Sequence, residues 1–173
     1  MKVGIIGLGI MGSAYAANLL KAGLDVLGVD PAIEGRTQLE AAGGTTYEVV
    51  GPWVAECDLI IISVASPKVL SSVCWHLMEY LKPGQVVMET GTFAMADKLA
   101  AREAIEVGGA ILLDTPVSGT GIQAAMADLV IMASGPTDAI DHARPFMAYL
   151  CHTIIDAGAF GAGTKLKFIA NHA

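Results

Sequence analysis

Apolar residues fall into short continuous runs, separated by longer segments in which apolar positions recur every three or four residues. Short β-branched runs predict strands that are buried on both faces, and the clearest of them is Asp58–Val64. The other runs predict strands at Lys2–Ile6, Leu24–Val29, Gln85–Glu89, Ile111–Asp114, Leu129–Ala133 and Thr153–Asp156.

The longer segments predict helices that end at glycine and proline residues. They cover Ser13–Ala22, Arg36–Ala42, Val69–Leu81, Ala94–Val107, Thr137–Leu150 and Thr164–His172, with a short helical piece in Val49–Glu56. We expect Pro145 to kink or break its helix, because proline has no amide hydrogen to donate. Strands that alternate with helices predict an α/β fold, a doubly wound and mainly parallel Rossmann sheet with helices on both faces.

Composition narrows the classes of function. The 173 residues suffice for one domain, and 54% apolar against 16% charged residues argues against disorder. The net charge is −7 and no basic stripe is present. Nucleic acid and anionic membranes are therefore not expected as partners.

Val3–Leu20 carries no charged residue, which raises the question of a secretory leader. Its four glycines would break a membrane helix, and their spacing favours a phosphate-binding turn instead. The three scattered cysteines predict buried, reduced thiols and a cytoplasmic location; they are Cys57, Cys74 and Cys151. The four histidines show no metal-ligand spacing, so no metal site is expected.

A glycine-rich segment follows the first predicted strand and opens the first predicted helix, with the sequence Gly7-Leu8-Gly9-Ile10-Met11-Gly12. In this setting Gly7 permits a tight turn, Gly9 lets a pyrophosphate approach the backbone, and Gly12 lets the helix pack against the sheet. The phosphates then meet free N–H groups at the helix N-terminus. The segment therefore predicts a dinucleotide site.

Asp30 closes the second predicted strand, at the offset where a carboxylate accepts hydrogen bonds from a ribose 2′-hydroxyl. The same carboxylate would repel a 2′-phosphate, which favours NAD over NADP as the cofactor. Arg36 is the nearby cation that could reverse this choice, so NADP stays open as the alternative.

Three segments make the chain similar to the β-hydroxyacid dehydrogenase family, which includes 3-hydroxyisobutyrate dehydrogenases, tartronate semialdehyde reductases and, more distantly, 6-phosphogluconate dehydrogenases. They are the glycine-rich turn continuing through Ala17-Asn18-Leu19 and Ala22-Gly23, the segment Asp114–Gly119, and Gly161–Lys167 through Asn171. The resemblance implies an NAD(P)-dependent oxidoreductase that transfers a hydride between the nicotinamide and a small β-hydroxyacid or its semialdehyde.

The resemblance also implies roles for single residues. Lys167 matches the catalytic lysine that acts as general acid/base, and Asn171 matches the asparagine one turn later. Ser118 and Gly119 match the positions that hold the substrate carboxylate, beside Lys167 and Asn171, and Ser118 is counted with the catalytic residues. The positions that line the cofactor are matched by Val64, Ala65 and Thr92.

The chain departs from the family pattern in its substrate loop and in its length. Thr120, Gln123 and Ala127 stand where the family commonly has glycine. Family members continue into an all-helical second domain. We therefore expect residues 1–160 to be the dinucleotide-binding domain and 161–173 the start of the interdomain helix, with the helical domain absent.

That expected absence has two consequences. The chain should bind NAD(H) but turn over poorly, because closure of the site against water is lost. Apolar residues of the last helix should be exposed and promote a homo-oligomer; they are Leu166, Phe168 and Ile169.

The residues can support the implied chemistry. A hydride leaves carbon more easily as the neighbouring hydroxyl loses its proton, so a general base is needed there. Lys167 and Asn171 share a helix face, whereas Lys165 does not point the same way. Two other interpretations remain: a non-catalytic cofactor-binding or assembly module, and an imine reductase, against which Lys167 counts.

Four further residues have ordinary structural interpretations. Asp114 is expected to cap the loop that follows its strand, because Asp before Pro commonly forms turns. The methionines Met11, Met126 and Met132 are expected to pack in the core.

Overall fold

A computed structural model describes residues 1–172, which form nine strands and seven α-helices. The first half of the chain contains β1 (Lys2–Ile6), α1 (Ile10–Lys21), β2 (Asp25–Val29), α2 (Ile33–Ala41), β3 (Thr45–Tyr47), a 3-10 helix (Pro52–Glu56), β4 (Leu59–Ile62), α3 (Pro67–Leu77) and β5 (Val86–Glu89). The second half contains α4 (Met95–Val107), β6 (Ile111–Asp114), β7 (Val117–Ser118), α5 (Gly121–Ala125), β8 (Leu129–Ser134), α6 (Thr137–Met147), β9 (Cys151–Gly158) and α7 (Ala162–Asn171).

The strands form one sheet in the order β3-β2-β1-β4-β5-β6-β8-β7, with β9 also paired to β8. The first six strands are parallel, and Ile6 lies opposite both Val29 and Ile62, so β1, β2 and β4 end at the same edge. β8 runs antiparallel to β6 and β7. The predicted doubly wound, mainly parallel sheet with helices on both faces is confirmed.

Side chains of the central strand divide between two apolar layers, one on each face of the sheet. Leu59 and Ile61 of β4 face the layer that contains residues of α1 and α6. Ile60 and Ile62 face the layer that contains residues of α3 and α4. Because β4 is buried on both faces, its sequence is a continuous apolar run rather than an alternating one.

Several helix ends differ from those predicted. α1 begins at Ile10, three residues before the predicted start, because Gly12 fits inside the first turn against the Gly7 carbonyl, where a side chain would collide. α3 begins at Pro67 behind Ser66, whose hydroxyl accepts the Val69 N–H at 3.2 Å. The predicted break at Pro145 is wrong, since α6 continues through it to Met147.

Three short elements were not predicted: β3, β7 and α5. α5 begins with a capping box, in which the Thr120 hydroxyl accepts the Gln123 N–H at 3.3 Å and the Gln123 side-chain oxygen accepts the Thr120 N–H at 2.8 Å. These elements have two to five residues, too few for a hydrophobic period to show.

Burial confirms most of the expectations about single side chains. All three cysteines are buried and free. Met132 lies in the core and Met11 packs against it, but Met126 is 73% exposed, so its predicted core role is wrong.

Within residues 1–172, no helix has the length and apolar composition that crossing a bilayer requires. Across the same residues, no three His, Cys, Asp or Glu side chains cluster so as to hold a metal ion.

Candidate functional site

The ends of β1 and β4 flank a crevice at the point where the strand order reverses, which is where open α/β sheets bind ligands. Gly7 turns the chain there with φ +100°, a backbone conformation that residues with a Cβ atom rarely adopt. A Cβ at Gly7 would also collide with the Ser63 carbonyl. The fold itself therefore requires glycine at this position.

Gly9 is different, because nothing in the protein requires it. Its backbone is extended, with φ −73° and ψ −160°, and an added Cβ would have no atom within 4 Å. The N-terminus of α1 has no side-chain cap, and Ile10 beside it is 79% exposed. An open backbone at an uncapped helix start fits a pyrophosphate group, which needs close approach and N–H donors.

Asp30 fastens the glycine-rich turn to the end of β2. Its carboxylate accepts the Leu8 N–H at 2.8 Å and the Ala32 N–H at 2.9 Å. Each carboxylate oxygen has a further lone pair, so acceptance from a ribose hydroxyl remains compatible with these bonds. Arg36, the cation that could favour NADP, pairs instead with Glu48 at 3.4 Å.

A cavity of about 420 Å³ opens beside this turn, between the ends of β1, β2 and β4 and the side of α3. Its wall is mainly apolar and includes Val29, Val49, Val64, Ala65, Val69 and Val73. Asp30 supplies a polar group at its edge. Such a cavity suits a flat, largely apolar ring joined to a ribose. Thr92, also predicted at the cofactor, is exposed between β5 and α4 and is not part of this wall.

Ser118 ends the short strand β7, and Gly119 begins the loop that follows it. Ser118 is half-buried, and Gly119 has φ +143° with no room for a Cβ beside Leu129. The N–H of the next residue, Thr120, is already bound by Gln123. The loop can therefore offer an anion the Ser118 hydroxyl and the Gly119 N–H, but not a third donor from Thr120.

Two contacts hold this loop against the start of α1. A Cβ at Gly121 would lie 2.7 Å from Ile10 Cγ2, so the loop approaches the start of α1 closely. Below it, the Asn18 side-chain amide donates to the Ala124 carbonyl at 2.8 Å and ties α1 to α5. The structure thus places the predicted substrate loop next to the predicted pyrophosphate turn.

The last helix, α7, contains both Lys167 and Asn171. Lys167 is half-buried and Asn171 is exposed, whereas Lys165 is exposed on another side of the helix. α7 packs on β8, and β8 pairs with β7 through Val130 and Ser118.

A cluster of buried charges lies behind the first turn of α7. Lys98 of α4, Glu89 of β5 and Asp114 of β6 are each 0% exposed. Lys98 Nζ forms ion pairs with Glu89 and, at 2.9 Å, with Asp114 Oδ1, and it donates to the Gly91 carbonyl at 2.6 Å. Burial raises the pKa of Glu89, although the Lys98 ammonium opposes the change.

Asp114 corrects one prediction from the sequence. Its carboxylate does not cap the loop after β6 but binds α7, accepting the Thr164 N–H at 2.8 Å and the Thr164 hydroxyl at 2.7 Å. Ser134 Oγ accepts the N–H of Gly163 at 2.9 Å. These bonds satisfy N–H groups of the first turn that a helix cannot satisfy internally.

Sequence reasoning missed Lys98, Glu89, Ser134 and Thr164. One signal was available for Lys98: it precedes Ala101 by three residues and Ile105 by seven, so it lies on the apolar face of its helix. A lysine in that position needs a buried partner. The partners themselves come from other strands, and spacing along the chain does not reveal them.

Comparison with known proteins agrees with this geometry. Residues 2–158 match the family model described as the NAD binding domain of 6-phosphogluconate dehydrogenase. A probable 3-hydroxyisobutyrate dehydrogenase of Mycobacterium tuberculosis is 31% identical over 169 residues, which are 98% of this chain and 58% of that protein. An NAD-dependent L-serine dehydrogenase of Pseudomonas aeruginosa is 32% identical over 176 residues, with 98% and 58% covered.

Among solved structures, a 3-hydroxyisobutyrate dehydrogenase of Mycobacterium tuberculosis with L-serine superposes with a TM-score of 0.94 at 30% identity. The match covers 98% of this chain and 58% of that one. The chain therefore spans less than two thirds of the length of these relatives.

Proposed function

The chain belongs to the family defined by the NAD binding domain of 6-phosphogluconate dehydrogenase, and we propose on this basis that it serves an NAD-dependent dehydrogenase of small β-hydroxyacids. The observation that carries the proposal is the packing of Gly121 against Ile10. This contact sets a carboxylate-binding loop beside the turn suited to a pyrophosphate.

For the cofactor, we assign the pyrophosphate to the backbone of the turn, formed by Gly7, Leu8, Gly9, Ile10, Met11 and Gly12. Asp30 would accept from the ribose hydroxyls, with Val64, Ala65 and Thr92 along the remainder of the cofactor. When bound, the nicotinamide supplies the acceptor or donor of the hydride. The pairing of Arg36 with Glu48 supports NAD over NADP, because it occupies the guanidinium that a 2′-phosphate would need.

For the substrate, we assign the carboxylate to the Ser118 hydroxyl and the Gly119 N–H. This anchoring places the hydroxyl-bearing carbon, and such positioning lowers a barrier by several kcal/mol, on the order of 7. Lys167 would take the proton from the substrate hydroxyl oxygen during oxidation and return it during reduction. Asn171, one turn further along α7, would orient the substrate or the Lys167 amine.

Three further proposals concern the whole chain. We propose that residues 1–160 are the dinucleotide-binding domain and that 161–173 are the start of the interdomain helix, with residue 173 outside the described residues. The match over residues 2–158 supports the first of these bounds. Of the three apolar residues of α7 predicted to be exposed, Leu166 is half-buried instead. The exposed Phe168 and Ile169 support association into a homo-oligomer, which sedimentation would check. The free cysteines support a reducing, cytoplasmic location.

The test begins with fluorescence titration of the purified chain by NADH and NADPH. Turnover is then measured with NAD and a panel of small β-hydroxyacids that includes 3-hydroxyisobutyrate and L-serine. We expect tighter binding of NADH than of NADPH. We also expect slow but measurable turnover of at least one panel member, because the site is open to water. Lys167→Met should lower kcat by about 100-fold or more, the contribution usual for a general acid/base.

Lys165→Met is the matched control, because it removes an exposed lysine from the same helix. It should leave kcat unchanged. NADH binding without turnover of any panel member would overturn the proposed chemistry for this chain and favour a cofactor-binding module. Equal losses in both lysine variants would remove Lys167 from the mechanism.

A further inference from the structure

One stripe of α7 joins the buried charges to the proposed catalytic residues. Thr164, Lys167 and Asn171 are spaced by three and then four residues, so they lie along one face of the helix. Along this stripe the side chains pass from fully buried Thr164 through half-buried Lys167 to exposed Asn171. Thr164 and Lys167 therefore belong to the same face of α7, one turn apart.

Thr164 is held at two atoms by one carboxylate. Its N–H donates to Asp114 Oδ2 at 2.8 Å and its hydroxyl donates to Asp114 Oδ1 at 2.7 Å. Because backbone and side chain are both bound, α7 can neither slide nor rotate without losing a buried hydrogen bond. The Gly163 N–H, bound to Ser134 Oγ at 2.9 Å, adds a third restraint in the same turn.

Lys98 supplies the counter-charge for that carboxylate. Its Nζ lies 2.9 Å from Asp114 Oδ1, and both side chains are 0% exposed. A buried carboxylate without a partner is strongly unfavourable, so Asp114 depends on Lys98 to remain in place as an acceptor. The same helix holds the segment before α7, since the Arg102 guanidinium lies 5.1 Å from the centre of the Phe160 ring.

We propose that Lys98, Asp114 and Thr164 are positioning residues that fix the rotation and axial position of α7, and thereby aim the Lys167 amine at the substrate hydroxyl. The inference rests on the proposed role of Lys167. None of the three residues is placed in contact with substrate, so their effect on the reaction passes through the helix.

The decisive variants change the hydroxyl of Thr164. Thr164→Val keeps the size of the side chain and the backbone bond to Asp114 but removes the bond to Oδ1, whereas Thr164→Ser retains that hydroxyl. Thr90→Val is the matched control, because Thr90 is also buried and its hydroxyl donates to a backbone carbonyl, that of Ile62, at 2.8 Å. Unfolding curves would show that Val at either position costs similar stability.

Kinetics gives the first measurement. In Thr164→Val, kcat should fall by about 10- to 100-fold, the loss that a misplacement near 1 Å can cause. The KM for the hydroxyacid should change much less than kcat, because Ser118 and Gly119 still hold the carboxylate. The dissociation constant of NADH should be unchanged, because the glycine-rich turn is untouched. Thr164→Ser should recover most of kcat, and Thr90→Val should keep it at the wild-type value.

Amine labelling gives a second measurement that needs no turnover. Brief reductive methylation followed by peptide mass spectrometry would give the ratio of Lys167 to Lys165 modification, with exposed Lys165 as the internal reference. A loosened α7 exposes half-buried Lys167, so the ratio should rise several-fold in Thr164→Val and stay at the wild-type value in Thr164→Ser and Thr90→Val. Lys98→Met should raise the labelling ratio as well. If Lys98→Met does not fold, the labelling ratio of Thr164→Val alone tests the positioning role.

The outcomes separate the two proposals. Absence of turnover in the wild-type chain would contradict the proposed function, while the labelling ratio would still decide the role of Thr164. A labelling ratio in Thr164→Val equal to that in Thr90→Val would overturn the positioning role. So would an equal fall of kcat in both valine variants.

Discussion

At the scale of single residues, the three glycines of one turn serve different ends. Gly7 and Gly12 are required by the fold, since a side chain at either would collide with a backbone carbonyl. Gly9 has open space where its side chain would be. The spacing of the glycines predicted the turn, but only the structure distinguishes the two glycines that the fold requires from the one that it does not.

Gly9→Ala should therefore separate binding from stability. Alanine adopts the extended backbone of Gly9 without strain, so the unfolding temperature should stay near that of the wild type. The added methyl group would occupy the space proposed for the pyrophosphate. We therefore expect NADH to bind at least about tenfold more weakly, which corresponds to a loss of about 1.4 kcal/mol of binding free energy. Calorimetry and NADH titration measure the two effects.

Gly12→Ala provides the contrast, because its Cβ would meet the Gly7 carbonyl and should lower the unfolding temperature strongly. Wild-type affinity for NADH in Gly9→Ala would show that the pyrophosphate does not lie on this turn.

Asp30 shows how far residue-level reasoning reaches. Its offset from the turn predicted an acceptor for ribose hydroxyls. The structure adds that the same carboxylate binds the Leu8 and Ala32 N–H groups, so it also shapes the turn. That second task depends on how the backbone folds back on itself, which residue spacing does not specify.

At the scale of secondary-structure elements, the length of a strand or helix determined whether the sequence predicted it. The longer strands and helices were found within a few residues of their observed ends, because their hydrophobic periods repeat. β7 and α5 were missed, and they flank the loop that is proposed to bind the substrate. Thr120 and Gln123, first noticed as departures from a glycine pattern, form the capping box that begins α5.

Ala127, the third departure, is held at φ +53° directly after α5. A left-handed backbone costs a residue with a Cβ about 1 kcal/mol relative to glycine. Ala127→Gly should therefore raise the free energy of unfolding by up to about 1 kcal/mol, measured by urea denaturation.

The matched control for Ala127→Gly is Ala100→Gly, in the exposed middle of α4. There the same substitution should lower the free energy of unfolding by about 0.5–1 kcal/mol, because glycine gains backbone freedom in the unfolded chain. A lower stability of Ala127→Gly would show that the loop does not carry strain at this position.

At the scale of the whole molecule, the alternation of strands and helices predicted the sheet and its layers. It did not predict the reversal of β8 or the buried charges, because both depend on pairings between distant segments. Glu89 and Asp114 close two predicted strands, and Lys98 lies in a predicted helix. The two carboxylates lie side by side because the register of β5 and β6 places Glu89 opposite Asp114.

Alkaline pH should destabilise the molecule through groups buried in both apolar layers. Burial raises the pKa of Cys74 from 9.0 to about 12 and that of Tyr15 from 10.0 to about 12, and it also raises the pKa of Cys151. As the pH rises, the unfolded chain loses these protons at a lower pH than the folded chain does. The contribution of these groups to the free energy of unfolding is therefore fully present below pH 9 and is lost as the pH rises from 9 toward 12.

Urea denaturation at pH 7.5 and 10.5 measures this effect. A fully buried thiol contributes a slope of at most about 1.4 kcal/mol per pH unit. Cys74→Ala should show a shallower decline than the wild type, whereas equal stability at both pH values would mean that these groups ionise freely in the folded protein.

The hydrogen bonds that begin α7 also constrain the order in which the chain folds. Its first turn is completed by Asp114, 50 residues earlier in the chain, and by Ser134, 29 residues earlier. A helix of ten residues is marginal by itself in water, and its acceptors come into place only when β6 and β8 have assembled. We therefore expect the helix that carries Lys167 to form late in folding, on a sheet that is already assembled.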